Sequence, residues 1–329
     1  MSTLSVIMSV YNEPIVWIQQ AVVSILNQSF RDFEFIIVLD NPNGDEQISL
    51  LEHYQKIDSR IVLLYNAENI GLAASLNKAI KVSSGRYIAR MDADDIAMPE
   101  RFQKQLDYLN QHQDIQVCGT WAKRFGNLPR LSYKKFKFPV SPEQARIFSL
   151  FASPLVHPSV MVRAEVMKEY LYNSELRKAQ DYDLWCRLLC NDVNVASLPL
   201  YLIRYRVTAK SLVKESLSSQ EDVSRRVRAC LLSYQGIEAT EAEISLHNGI
   251  CGNSDAALEV IEDWLIQLKS ILIEKFPLQK TYISDLVGKY WAANCISKEA
   301  SYCHYHKSNL YPGFKWLAIL RFLKRALYR

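Results

Sequence analysis

The chain has 329 residues, 49% of them hydrophobic and 22% charged, which excludes disordered and collagen-like classes and suffices for one large domain and a smaller one. Its formal charge of +4 is unevenly placed: residues 301–329 hold six Lys and Arg and no acid, so the preceding 300 sum to −2 (+4 less +6). A nucleic-acid binder would carry a basic stripe across its folded body, so no nucleic-acid partner is expected.

The N-terminus runs into Leu4-Ser5-Val6-Ile7-Met8 without a basic n-region or a small-residue cleavage site, and reads as a buried strand rather than a signal peptide. No apolar run reaches the roughly 18 residues of a spanning helix. The seven cysteines include no C-x-x-C pair and fit reduced thiols. Together these features lead us to expect a cytoplasmic protein.

In chain order, short β-branched runs at 5–10, 33–39, 61–65, 86–91 and 117–121 read as strands. Helical patterns at 17–27, 45–57, 72–82 and 99–112 lie between them, the last with Pro99 in its first turn. Such alternation predicts an α/β fold with a mostly parallel sheet covered on both faces. A basic, aromatic stretch from Arg130 to Phe138 breaks the pattern, as either a solvated connection or a lid over the acceptor. A helix over 181–190 and a strand over 202–207 follow. Beyond residue 215 the pattern is helical, over 216–234, from Thr240 with Glu243 as a capping box, over 255–275 and over 282–295. The expected domains are 1–212, catalytic, and 213–329, helical.

In an open parallel sheet, ligands bind beyond the carboxyl ends of the strands. Those positions hold Tyr11-Asn12-Glu13-Pro14, Asp40-Asn41, Asn66 to Gly71, and Asp92-Ala93-Asp94-Asp95. In an extended segment Asp92 and Asp94 would face one site, and such crowded carboxylates are costly unless solvated or bound to a cation. Mg²⁺ or Mn²⁺ suits oxygen ligands of this kind. Taken alone, the same residues also suit an exposed acidic turn. Neither the G-x-G-x-x-G dinucleotide fingerprint nor a P-loop is present.

The segments Ser5 to Glu13, Ser24 to Phe30, Phe33 to Val38, Asn69 to Asn77, Gly85 to Asp95, His157 to Met161 and Gln180 to Trp185 occur in this order. Together they resemble family 2 glycosyltransferases over about residues 3–212. The resemblance implies a GT-A fold and an inverting transfer from a nucleotide-sugar donor, with UDP as the expected nucleotide. It places Tyr11 and Glu13 beside the nucleoside and Asp40 on the base. Asp92 falls on the ribose or metal, Asp94 on the metal, and Asp181 at the general base. His157 either faces the donor sugar or acceptor or is a packed core histidine.

Leu39, Gln180 and Thr208 depart from the family's pattern. Thr208 stands where many relatives have a metal-reaching His, leaving a third protein ligand open. Two other readings fit the fold class: a catalytically silent nucleotide-binding scaffold, disfavoured by the intact Asp92, Asp94 and Asp181, and a sugar nucleotidyltransferase, which would need a Gly-rich basic loop after the first strand. The expected acceptor is a saccharide carried on a polyprenyl diphosphate, as in O-antigen or capsule assembly. Residues 314–329 segregate Lys315, Arg321, Lys324, Arg325 and Arg329 from Trp316, Leu320 and Phe322 on a helical wheel. That pattern suits a helix lying in an anionic membrane interface and a peripheral location on the inner face of the cytoplasmic membrane.

Overall fold

A computed structural model describes residues 2–126, 134–207, 217–252, 254–298 and 302–310. The expected boundary near residue 212, Thr208, and the amphipathic segment 314–329 lie outside the described residues. So do residues 127–133 of the basic aromatic stretch. The chain divides into two compact units, residues 1–145 with 153–223, and residues 146–152 with 224–329.

The first unit opens with β1 (Leu4–Val10), α1 (Ile15–Leu26), β2 (Phe33–Leu39), α2 (Asp45–Ile57), β3 (Ile61–Tyr65), α3 (Leu72–Val82) and β4 (Tyr87–Asp92). It continues with β5 (Ile96–Ala97), α4 (Arg101–Gln111), β6 (Val117–Phe125), β7 (Lys135–Phe136) and the start of α5 (Pro142–Ser149), whose residues from 146 on belong to the second unit. After these come β8 (Met161–Arg163), α6 (Ala164–Glu169), α7 (Gln180–Leu189) and β9 (Val195–Arg206). The strands form one sheet in the order β3-β2-β1-β4-β8-β6-β9-β5, with β7 paired to β6. β1 to β4 are mutually parallel, whereas β8 runs antiparallel to β4 and β6, and β9 is parallel to β6.

β1 and β2 are apolar apart from Ser5, Ser9 and Glu34, because both of their faces are covered. Val6, Met8 and Val10 join the layer formed with Ile18, Val22 and Ile25 of α1, Leu51 of α2 and Phe102 and Leu106 of α4. Strand alternation turns Ile7, Ile36 and Val38, all fully buried, to the opposite face, against which α3 packs. At Gly71, which caps α3, φ is +87°, a conformation that costs glycine no Cβ clash.

The second unit holds α8 (Leu217–Tyr234), α9 (Glu241–Cys251), α10 (Leu258–Lys275), α11 (Lys280–Ser297) and α12 (Tyr302–Lys307). The Thr240 and Glu243 capping box is formed. Its core includes Leu231, Trp264, Leu268, Val287 and Trp291, and Phe151 stacks on Tyr290 at 4.6 Å. Among the described residues no helix is long and apolar enough to cross a membrane.

Candidate active site

Parallel register brings Val10 beside Leu39, Leu39 beside Tyr65, and Ser9 beside Asp92. The loops after β1, β2 and β3 and the end of β4 therefore meet at one edge of the sheet. Tyr11 is exposed, and its amide donates to Glu13 Oε2 at 2.8 Å, closing the first loop. Burial pushes the Glu13 carboxyl up, aided by the charges of Asp92 and Asp40 and opposed by the Tyr11 amide.

Asp40 follows β2 and is only 2% exposed. Its Oδ1 accepts from Asn66 Nδ2 at 2.8 Å and from the Ile70 amide at 2.9 Å, and its Oδ2 accepts from the Gly71 amide at 2.9 Å. Asn66 also donates to Ser75 Oγ and accepts from Lys78 Nζ. The carboxylate thus anchors the turn into α3. A carboxylate offers about four acceptor positions, so the three donors leave one on Oδ2.

Asp92, Asp94 and Asp95 offer carboxylate oxygens that all lie within 4.8 Å of one another. The sequence led us to expect alternation along an extended strand to bring Asp92 and Asp94 to one site, but a turn gathers them instead. β4 ends at Asp92 and the chain turns over residues 93–94, with the Asp95 amide donating to the Asp92 carbonyl at 3.4 Å. Asp95 is almost fully buried. Its Oδ1 accepts from the Arg206 amide at 2.7 Å, while Oδ2 is buried with no hydrogen-bond partner among the described residues. Arg206 Nε donates to the Asp94 carbonyl at 2.6 Å, and its guanidinium lies 4.8 Å from the Trp17 ring centroid.

Burial first, and then the Asp92 and Glu13 charges, push the Asp94 carboxyl up to about 7. Burial followed by the Asp92 and Asp94 charges holds Asp95 well above the usual carboxylate range. Crowded, raised carboxylates around an orphaned buried oxygen are what a hard divalent cation would relieve. The residues present fit one.

On the next side of the cluster the buried Arg90 forms an ion pair with Asp92. Arg90 also acts electrostatically on His157, Tyr172 and Asp181. His157 Nε2 shares a 2.7 Å hydrogen bond with the Tyr172 hydroxyl, and its ring meets Trp185 edge-on. Burial and then Arg90 hold the imidazole well below its ordinary value, so it is neutral. Asp181 stands in the first turn of α7, just after Ala179, whose φ of 53° is unusual for a residue with a Cβ. Burial raises the Asp181 carboxyl, while the Tyr182 amide, then Arg90 and its own amide pull it back.

Six of the seven expected residues, Tyr11, Glu13, Asp40, Asp92, Asp94 and Asp181, belong to this network by direct bond or by charge. His157 joins it through Tyr172 and Arg90. Sequence reasoning assigned no role to Asp95, Arg90, Tyr172 or Arg206. The third Asp of Asp92-Ala93-Asp94-Asp95 and the Arg two residues ahead of Asp92 were the available signals; nothing local marks Tyr172 or Arg206.

The glycosyl transferase family 2 model matches residues 5–171. An uncharacterised glycosyltransferase of Methanocaldococcus jannaschii is 38% identical over 208 residues, which cover 62% of this chain and 70% of the relative. The O-antigen biosynthesis glycosyltransferase WbnJ of Escherichia coli is 32% identical over 230 residues, or 69% of this chain and 89% of the relative. The crystal structure of S. aureus TarS 1–349 in complex with UDP-GlcNAc superposes with a TM-score of 0.61 at 16% identity, covering 91% of this chain and 93% of that one, a likeness of GT-A fold. With its sequence match spanning half the chain and its acidic cluster at the end of β4, the chain belongs to glycosyl transferase family 2.

Proposed function

We propose that the chain is an inverting, divalent-metal-dependent glycosyltransferase that moves a sugar from a UDP-sugar to a lipid-linked saccharide acceptor in surface-polysaccharide assembly. The observation that carries the reading is the Asp92, Asp94 and Asp95 cluster, tied by Arg90 to the electrostatics of Asp181. The O-antigen relative supports the polysaccharide context, and the UDP-GlcNAc complex of TarS supports a UDP donor.

Asp92, Asp94 and Asp95 would hold Mn²⁺ or Mg²⁺, which when bound neutralises the charge of a leaving diphosphate. The nucleoside would lie by Tyr11 and Glu13, with its base edge donating to the free acceptor position of Asp40 Oδ2. Asp181 accepts the acceptor hydroxyl's proton as that oxygen bonds to the anomeric carbon and the bond to the donor phosphate breaks, its electron pair leaving with the nucleoside diphosphate. One displacement inverts the configuration and needs no protein nucleophile. Burial makes Asp181 a stronger base than a solvated carboxylate, while the Tyr182 amide, Arg90 and its own amide favour its ionised form. Neutral His157, held by Tyr172, is a fixed polar wall for the donor sugar or acceptor.

The C-terminal segment 314–329 is proposed as a peripheral anchor to the inner face of the cytoplasmic membrane. The test of function is incubation with membrane lipid extract and a panel of nucleotide sugars, with product read by mass spectrometry. A UDP-sugar should label a lipid-linked saccharide. Nucleotide binding without hydrolysis or transfer of any donor would instead favour a silent scaffold.

A further inference from the structure

β6, β7 and β9 contain no acidic residue, yet their outer face is crowded with cations. Lys135 of β7 lies directly opposite Lys123 of β6, which lies directly opposite Arg204 of β9. All three side chains are exposed, and none of them forms an ion pair among the described residues. Like charges in cross-strand register are unfavourable, and no ion pair within the unit offsets that repulsion among the described residues.

The aromatic residues on the same face explain how the cations are held. Tyr201 sits between Lys123 and Lys135, at 5.3 and 5.5 Å from its ring centroid, and Lys137 lies 5.0 Å from that of Trp121. Trp121 and Tyr201 are themselves 5.3 Å apart. Their rings carry lysines and are not open stacking platforms for a nucleobase. Leu200, next to Tyr201 in β9, and Val140, three residues beyond Lys137, are 41% and 39% exposed, aliphatic surface for which a polynucleotide has no use. The face also reaches the acidic cluster, since Arg204 and Arg206 both lie over Phe125 at 4.7 and 4.3 Å while Arg206 holds Asp94 and Asp95.

We propose that this outer face of β7, β6 and β9 docks the catalytic unit on an anionic lipid bilayer. Lys123, Lys135, Lys137 and Arg204 meet headgroup phosphates, Trp121 and Tyr201 lie at headgroup level, and Leu200 and Val140 reach the acyl boundary. The edge that carries the reaction would then open beside the membrane surface. The surface stands or falls separately from the transfer reaction, because its test scores binding alone.

The full chain is co-sedimented with phosphatidylcholine vesicles, with and without phosphatidylglycerol, at low and high salt. The variant Lys123→Gln, Lys135→Gln, Arg204→Gln should lose affinity for the anionic vesicles by about a hundredfold at low salt, roughly fivefold for each cation. Its UDP binding should be unchanged, which reports an intact fold. Charge-preserving Lys123→Arg, Lys135→Arg, Arg204→Lys should bind as the parent does. Repeating the comparison with Lys315, Arg321, Lys324 and Arg325 changed to Gln prevents the tail from masking the loss. Parent-like binding by the triple Gln variant in that background overturns the proposal. So does tighter binding to a single-stranded oligonucleotide than to anionic vesicles, with indifference to Leu200→Ser and Val140→Ser, which would assign the face to a nucleic acid.

Discussion

Arg90 and Asp92, two residues apart on β4, form an ion pair in which the arginine side chain is 2% exposed and the aspartate 28%. Their spacing puts both on one side of the strand. The guanidinium therefore stands behind the acidic cluster and within electrostatic reach of Asp181. Removing its charge in Arg90→Gln should raise the Asp181 carboxyl, since Arg90 pulls it down. The acidic limb of the pH–kcat profile should move to higher pH, with kcat lower by about tenfold, or ~1.4 kcal/mol of transition-state stabilisation. A profile superimposable on the parent's would show that the two sites are uncoupled.

Chelation with EDTA should abolish transfer, and Mn²⁺ or Mg²⁺ should restore it. In Asp94→Ala, donor affinity in the presence of metal should fall by at least about tenfold, ~1.4 kcal/mol. Calorimetry of UDP binding with and without metal reads both effects. Full turnover in a metal-stripped, chelated preparation would remove the cation from the mechanism.

Asp181→Asn preserves shape but cannot take the acceptor's proton. UDP and metal binding should persist while the transfer rate drops by about 10² to 10⁴. Transfer near the parent rate would send the search for the base elsewhere in the site.

Asp40→Ala leaves the Ile70 and Gly71 amides without their acceptor and Asn66 Nδ2 with only Ser75 Oγ. Each buried orphan costs about 1–3 kcal/mol, so a clear drop in the urea midpoint should accompany weakened UDP binding. A variant that lost nucleotide affinity with unchanged stability would mean that the turn does not depend on this carboxylate.

His247, fully buried in the second unit, donates from Nε2 to the Leu150 carbonyl at 2.8 Å and accepts at Nδ1 from Trp264 Nε1 at 3.1 Å. Both ring nitrogens are used by the neutral tautomer. Burial drives its pKa down to about 4, so the unfolded chain binds the proton more readily. Stability from this group is present in full above the unfolded value, about 6.5, and is lost as pH falls toward about 4, roughly 3 kcal/mol in all. Urea unfolding followed by tryptophan fluorescence should show that slope, and His247→Gln, which does not titrate, should flatten it. An equal slope in both proteins would place the titration on another group.

Local pattern was enough wherever one segment contained its own cause. The β-branched runs of β2 and β3 and the periodicity of α2 and α3 match their observed bounds. Thr240 and Glu243 announce α9 because a capping box closes within four residues. The ordered motifs from Ser5 to Trp185 likewise carried the family, and Asp92 and Asp94 stood out as crowded carboxylates.

Tertiary structure alone decided what depends on distant partners. β5, β7 and β8, two or three residues long, are strands only because β9, β6 and β4 offer edges to pair with, and so short a segment has no period to read. β9 extends back to Val195 through Pro199 because it pairs along β6 with register shifts around Trp121. The carbonyl of Asp94 meets the side chain of Arg206 across 112 positions, and the carboxylate of Asp95 meets the Arg206 amide across 111. Charges and hydrogen-bonding groups so far apart in the chain interact only after the sheet has closed, which is why the acids could be named from the sequence and the groups that hold and tune them could not.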